Sequence, residues 1–143
     1  MVFSDAELEY LSSQRLGRLA TVDAVAAPQN SPVGFAVDPE TGAIDISGYN
    51  MGASRKFRNV QRGSAVAFVV DDIASISPWR VRGVEIRGVA EALTIDRPQQ
   101  GHLSPEIIRV HPRWILSWGL DADQQRGKSQ SRLVQGGDGF DPA

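Results

Sequence analysis

The sequence predicts a mainly β fold class: an antiparallel β-barrel of about six strands with two short helices. Segments of β-compatible residues follow one another closely along the 143-residue chain. Helical patterning is confined to two short segments, and neighbouring strands lack the helical crossovers that parallel βαβ units require. Closure into a barrel is favoured because it removes exposed sheet edges.

The first helix is marked by its start signal. Ser4 and Glu7 form an S-x-x-E capping box, and Leu8 and Leu11 then recur on one helical face. The pattern stops near Gln14. The sequence therefore predicts a short N-terminal helix with one apolar side.

The strand segments follow in order, separated by turn residues. Pro32 lies within the second strand, where proline is tolerated at an edge or a bulge. Pro112 lies within the last strand, where we expect a bend. The predicted strands are residues 18–22, 28–37, 43–47, 65–70, 82–93 and 106–119. In the last strand, alternation predicts one shared face for Ile108, Val110, Trp114, Leu116 and Trp118.

Length and composition indicate one domain and exclude several classes of protein. Residues 1–121 are predicted to form a cofactor-binding barrel domain, and residues 122–143 a polar C-terminal tail that we expect to be mobile. The chain has no cysteine, which excludes a disulfide framework and a thiolate metal site, and its net charge of -2 gives no overall attraction to nucleic acid. With no long apolar run and no signal-peptide pattern, we expect a cytoplasmic protein without a membrane partner.

The segment from residue 47 to residue 62 carries the chemistry. Ala53, Phe57 and Val60 recur at helical spacing, and Ser54 is a good N-cap, which places Arg55 and Lys56 in the first turn. Cations there oppose the helix dipole at a cost of about 0.3–1 kcal/mol each. A bound anion, most simply a phosphate, would account for them. A solvated surface helix and a nucleic-acid contact are the alternatives.

Further candidates carry weaker signals. Arg58 would add a third cation one turn later in that helix. The sequence holds no dinucleotide-binding, P-loop or nucleophile-elbow motif. His102 and His111 lack a matching carboxylate or cysteine cluster, so no metal site is predicted. Among the tryptophans, Trp118 is the best candidate for stacking on a ring, because Gly119 follows it.

Several motifs in order resemble one known family. They are GRLATV (17–22), PVGF (32–35), SRKFRNV (54–60), AFVVDD (67–72), RGVEIRGVAEAL (82–93) and EIIRVHPRWILSWGLD (106–121). Together they look like the pyridoxamine 5'-phosphate oxidase-like (PPOX class) split β-barrel, FMN-binding-like proteins, and within them the coenzyme F420-dependent enzymes. The resemblance covers about residues 3 to 121.

The resemblance implies a homodimer with cofactor sites between the subunits. It implies that Ser54, Arg55 and Lys56 hold the cofactor phosphate. The ring system would lie along the second and third strands, and the backbone N–H of Val33 would be a donor near it. Trp118 would come from the partner chain. The residues implied for the ring region include Asn30, Ser31, Pro32, Val33, Ser47, Tyr49 and Met51.

The leading functional hypothesis is an F420-dependent oxidoreductase that transfers a hydride between coenzyme F420 and a small conjugated organic substrate. An FMN-binding oxidoreductase is one alternative, since the same phosphate site would serve. A non-catalytic carrier of a cofactor or tetrapyrrole is another. No residue is identified as catalytic, and the substrate proton would come from Tyr49, from solvent or from the cofactor environment.

Overall fold

Local capping signals place both helices. In the computed structural model, which describes residues 2–97, 101–121 and 128–134, helix α1 spans Asp5–Ser13 and helix α2 spans Arg55–Gln61. The predicted capping box is present: the hydroxyl of Ser4 accepts from the N–H of Glu7 at 3.2 Å, and the carboxylate of Glu7 accepts from the N–H of Ser4 at 2.9 Å. Both predicted helices are confirmed.

Six antiparallel strands close into a barrel, which confirms the predicted fold class. The barrel strands are β1 (Leu16–Val22), β2 (Pro28–Val37), β3 (Ile44–Ser47), β4 (Val66–Ser75), β5 (Arg80–Thr94) and β6 (Glu106–Trp118), and a seventh strand of the same sheet is β7 (Ser129–Leu133). Their order is β3-β2-β1-β4-β5-β6-β7, and an additional pairing of β3 with β6 closes the ring. β7 extends the sheet by pairing with the last residues of β6.

The barrel interior is filled by alternate side chains of the strands, and α1 and α2 contribute to the same core. On β4, Val66, Phe68 and Val70 are buried while the residues between them are partly exposed. The largest buried side chains of the core include Phe3, Leu11, Leu19, Ile44, Ile46, Met51, Phe68, Ile86, Ile108 and Ile115.

A bulge corrects the predicted face of β6. Arg87 of β5 pairs with Trp114 and Gly88 pairs with Pro112, so Arg113 is an extra residue on β6. An extra residue reverses the alternation beyond it. Ile115 and Ser117 therefore point into the core, being 0% and 1% exposed. The prediction that Trp114, Leu116 and Trp118 share the face of Ile108 and Val110 is wrong.

Part of the predicted tail belongs to the sheet. β7 pairs with residues 114–118 of β6. Arg132 of β7 reaches α1, where its Nη2 atom lies 2.5 Å from Oε1 of the buried Glu7. The polar sequence of this segment does not predict a strand, so a domain boundary at residue 121 leaves β7 out. Residues 122–127 and 135–143 lie outside the described residues, and the mobility expected of the tail stays a prediction.

Within the described ranges, no helix is both long enough and apolar enough to cross a membrane.

Candidate functional site

The loop between β3 and α2 is fixed by a neighbouring loop. After Ser47 the chain passes through Asn50, which has a φ of 123°, into a 3-10 turn at Met51–Ala53. Ser104 joins the two loops: its N–H donates to the carbonyl of Gly48 at 3.0 Å, and its hydroxyl accepts from the N–H of Met51 at 3.1 Å. The segment leading to α2 therefore has a defined backbone.

Ser54 organises the start of α2. Its hydroxyl accepts from the N–H of Phe57 at 3.2 Å, as an N-cap does, and donates to the carbonyl of Met51 at 2.6 Å. Because a hydroxyl has one proton, Ser54 cannot at the same time donate to an anion. Ser54 thus shapes the predicted phosphate site, and the charge must come from other residues.

The two cations of the first turn are unpaired. Arg55 is exposed and Lys56 is half-buried, and the structure shows neither of them in a hydrogen bond or ion pair with another described residue. Arg58 is held differently, because its Nη2 atom donates to the carbonyl of Ala53 at 3.3 Å. The first turn carries no acidic residue. Two positive charges therefore lie at the positive end of the helix dipole without a described acidic residue to neutralise them.

Two residues that the sequence does not single out border this segment. Arg97 donates from Nη2 to the hydroxyl of Ser47 at 2.8 Å. The side chain of Glu106 packs against Gly52, where a Cβ atom would lie 2.8 Å from its Oε1 atom. Arg97 lies in a polar loop with no motif, and its contact spans 50 positions. No local pattern could have identified it.

Only part of β2 is paired with a strand on both sides. β3 pairs only with residues 34–37 of β2, so residues 28–33 are paired on the β1 side alone. Pro32 has no N–H, yet it pairs with Arg18 in the β1–β2 register. The ladder bonds must then run through the adjacent pairs, including Val33 with Gly17. From this alternation we expect the N–H of Val33 to point toward β1 and that of Asn30 to point to the unpaired side. The role of the Val33 N–H as a donor near the ring stays a prediction.

Side-chain alternation divides the four predicted residues of β2. Asn30 and Pro32 are exposed on the outer face, whereas on the inner face Val33 is buried and Ser31 is half-buried. The hydroxyl of Ser31 is buried without a hydrogen-bond partner among the described residues. An unpaired buried hydroxyl costs about 1–3 kcal/mol, which a water or a polar ligand atom would relieve. The side chains of these residues cannot all line one ligand surface.

The other predicted site residues differ in burial and in their place in the fold. Met51 is 2% exposed and belongs to the core, whereas Tyr49 is 70% exposed in the same loop. Trp118 lies at the far end of β6 from Glu106, which corresponds to roughly 35–40 Å of extended strand. Its ring packs over Gly83 of β5, where a Cβ would collide with it. Within one chain, Trp118 does not join the segment around Arg55.

The shifted acids lie in structural ion pairs and turns outside residues 47–56. Arg82 lowers the pKa of Asp72 through a bidentate pair with distances of 2.8 and 3.0 Å. Burial, and then the hydrogen bond to Asp72, raise the pKa of Tyr10. These groups hold α1 against β4 and β5. The groups with shifted pKa values named here therefore belong to the packing of α1 and to a turn, away from the candidate site.

Comparison with known proteins agrees with this fold. The family model described as pyridoxamine 5'-phosphate oxidase matches residues 3–135. The chain is 49% identical over 128 residues to the 5a,11a-dehydrotetracycline/5a,11a-dehydrooxytetracycline reductase of Streptomyces rimosus, covering 89% of this chain and 90% of that protein.

Two solved structures share the fold at low sequence identity. A conserved hypothetical protein from Mycobacterium tuberculosis has a TM-score of 0.65 and 22% identity, covering 96% of this chain and 95% of that one. A heme binding protein from Mycobacterium smegmatis has a TM-score of 0.68 and 16% identity, covering 94% of this chain and 60% of that one.

Proposed function

Because the chain belongs to the pyridoxamine 5'-phosphate oxidase family, we propose that it is an F420-dependent oxidoreductase acting on a small conjugated organic substrate. The observation that carries this proposal is that two cations at the start of α2, Arg55 and Lys56, have no partner among the described residues. A reductase among its relatives supports reductive chemistry.

The anionic end of the cofactor binds at the start of α2. Arg55 and Lys56 supply two positive charges, and the first N–H groups of the helix supply further donors. Ser54 keeps those N–H groups oriented by capping the helix at Phe57. Charge-assisted hydrogen bonds of this kind are about twice as strong as neutral ones.

The ring system lies along the unpaired side of β2. The N–H of Asn30 is a donor there, and the Arg97–Ser47 contact fixes the adjacent end of β3. When bound, the cofactor supplies the hydride. The protein orients the ring and keeps water from its reacting face. The exposed hydroxyl of Tyr49, or water, donates the proton.

The substrate is a conjugated ketone or a related unsaturated compound. The Streptomyces relative is a reductase of 5a,11a-dehydrotetracycline, a dehydro compound with several fused rings. Such a substrate accepts a hydride at carbon and a proton at the neighbouring position or oxygen. We propose the same class of reaction for this chain.

FMN is the alternative cofactor, because its phosphate would fit the same two cations. Titration of the purified protein with each cofactor, followed by fluorescence, separates the two. Saturable binding of F420 supports the leading proposal, and binding of FMN without F420 reverses the order. Binding of either one without turnover of quinones, enones or tetrapyrroles would favour a carrier.

We also propose a homodimer. The hairpin of β4 and β5 exposes four apolar side chains, namely Ile73 of β4, Ile76 and Trp79 of the connection, and Val81 of β5, which pairs with Ile73. Contiguous exposed apolar surface of this kind marks an interaction site. A second copy would also supply a Trp118 from outside the protomer.

A double change of Ile76 and Trp79 to glutamate tests the dimer. Light scattering should give about twice the 15.5 kDa monomer mass for the unaltered chain and the monomer mass for the variant, because buried charges disfavour the interface. A monomeric unaltered chain would contradict the dimer.

A further inference from the structure

Two aromatic rings stand exposed beside the proposed cofactor site. The rings of Tyr49 and His102 lie 6.0 Å apart, edge to face at 72°. Tyr49 is 70% exposed, and the neighbouring Leu103 is 43% exposed. Tyr49 lies in the loop that follows β3, and His102 and Leu103 lie in the loop that precedes β6. An aromatic pair held in water, with an apolar side chain next to it, provides surface for a planar ligand.

The backbone beneath this pair is fixed although the rings are exposed. Ser104 bonds the loop of His102 to that of Tyr49 through Gly48 and Met51, and Met51 is buried. Asn50, next to Tyr49, has a φ of 123°, a conformation that non-glycine residues rarely adopt. Backbone outliers of this type concentrate at ligand sites. The rings are thus presented in a defined position.

The Tyr49–His102 pair lies beside the segment that is proposed to bind the cofactor. Tyr49 lies between Ser47, which Arg97 contacts, and Ser54, which begins α2. A ligand held between the ring region and the helix start would pass beside Tyr49. The exposed rings of the pair and the apolar side chain of Leu103 provide surface that suits an uncharged conjugated ring.

We propose that Tyr49, His102 and Leu103 bind the fused planar rings of the substrate, which makes them specificity-determining residues. This inference rests on the proposed function, since it places the substrate next to the cofactor. A ligand with several fused, conjugated rings stacks on one ring of the pair and contacts the edge of the other. A single-ring enone is too small to use this surface fully.

The test compares two substrates in matched variants. In Tyr49→Leu the aromatic face is lost, whereas Tyr49→Phe retains it. Because Tyr49 is also a candidate proton donor, the two variants, which both lack the phenol, are compared with each other. With reduced cofactor, KM for a tetracyclic enone should be about tenfold higher in Tyr49→Leu than in Tyr49→Phe, whereas KM for cyclohex-2-enone should differ less than about twofold between them. Leu133→Ala, an exposed apolar position on β7, is the control that should leave both values unchanged.

Binding without turnover separates this inference from the proposed function. Calorimetric titration with tetracycline, a stable tetracyclic probe, should show about tenfold weaker binding to Tyr49→Leu and to His102→Ala. F420 titration of His102→Ala should be unchanged, because His102 is not among the residues predicted to bind the cofactor. Equal tetracycline affinities in all chains would overturn the inference while leaving the cofactor proposal intact. Absence of F420 and FMN binding to the unaltered chain would instead overturn the proposed function.

Discussion

The region around α1 and the start of α2 differ in whether their charged side chains have partners. Around α1, Glu7 pairs with Arg132, and Asp72 pairs with Arg82 and Tyr10. At the start of α2, neither first-turn cation has a partner among the described residues. The first region consists of charges that neutralise one another and connect α1 to β4, β5 and β7.

The comparison distinguishes a charge that stabilises the fold from one that is available to a ligand: the first has partners within the protein, and the second is open to solvent. A buried carboxylate without a partner would be costly, so Glu7 is retained with three kinds of donor, from Arg132, Ser4 and Ser117. Unpaired cations beside a helix N-terminus are tolerated because they are accessible to solvent, and they remain available to a ligand. Changes in the two regions should therefore affect different measurements.

The largest effect is expected from breaking the pair at α1. Arg132→Met leaves the carboxylate of Glu7, whose side chain is 2% exposed, without its main partner. Unfolding free energy should fall by about 3 kcal/mol. Urea unfolding followed by circular dichroism measures it. Cofactor affinity at folded conditions should not change. A loss below about 0.5 kcal/mol would show that β7 does not stabilise α1 through this pair.

The next effect belongs to the cofactor site. Arg55→Ala combined with Lys56→Ala should weaken cofactor binding by about 2 kcal/mol or more, because two charge-assisted hydrogen bonds are lost. Stability should stay the same or rise slightly, since both cations oppose the helix dipole. Fluorescence titration and thermal unfolding measure the two quantities. The conservative change Arg55→Lys serves as the charge-retaining control. If the double variant bound the cofactor as tightly as the unaltered chain, Arg55 and Lys56 would not be binding charges. The proposed difference between the two regions would then be wrong.

A smaller effect is expected at the helix cap. Ser54→Ala removes the acceptor for the N–H of Phe57 and should cost about 1 kcal/mol of stability. Cofactor affinity should fall less than in the double variant, because the hydroxyl proton is already donated to Met51. Ser54→Asp should restore the cap but repel a phosphate. Equal cofactor affinity in Ser54→Ala and Ser54→Asp would argue against an anion at this position.

The smallest effect is a pH dependence centred on Glu7. Burial alone would raise its pKa, but the hydrogen bonds from Arg132, Ser4 and Ser117 outweigh it, so the pKa lies below the usual 4.5. A lowered pKa contributes stability that is complete above pH ~4.5 and lost as pH falls through the folded-state pKa. Stability curves of the unaltered chain and Glu7→Gln should therefore converge at low pH. A constant difference between them would contradict this.

The fold was largely predictable because its signals are local. The Ser4–Glu7 box, the N-cap at Ser54 and the alternation along the strands each act over a few residues, and the structure confirms the elements that they predict. The bulge at Arg113 was not placed by alternation, because the extra residue becomes visible only against β5. β7 was missed because its sequence is polar and its stability comes from a partner, Glu7, more than 120 positions away.

The candidate site was predictable in its charges and less so in its contacts. Arg55 and Lys56 follow from a cap and a helical pattern, which sequence shows directly. The contact of Arg97 with Ser47 depends on the path of a loop, and the direction of the Val33 N–H depends on the register with β1. The contribution of Trp118 to a cofactor site depends on the proposed dimer, which one chain does not contain.

The most direct test of the central claim is a crystal structure of the chain with F420 or FMN bound. The account predicts the phosphate within hydrogen-bond distance of the side chains of Arg55 and Lys56 and of the first N–H groups of α2. A phosphate bound elsewhere, with these two side chains still in solvent, would contradict it.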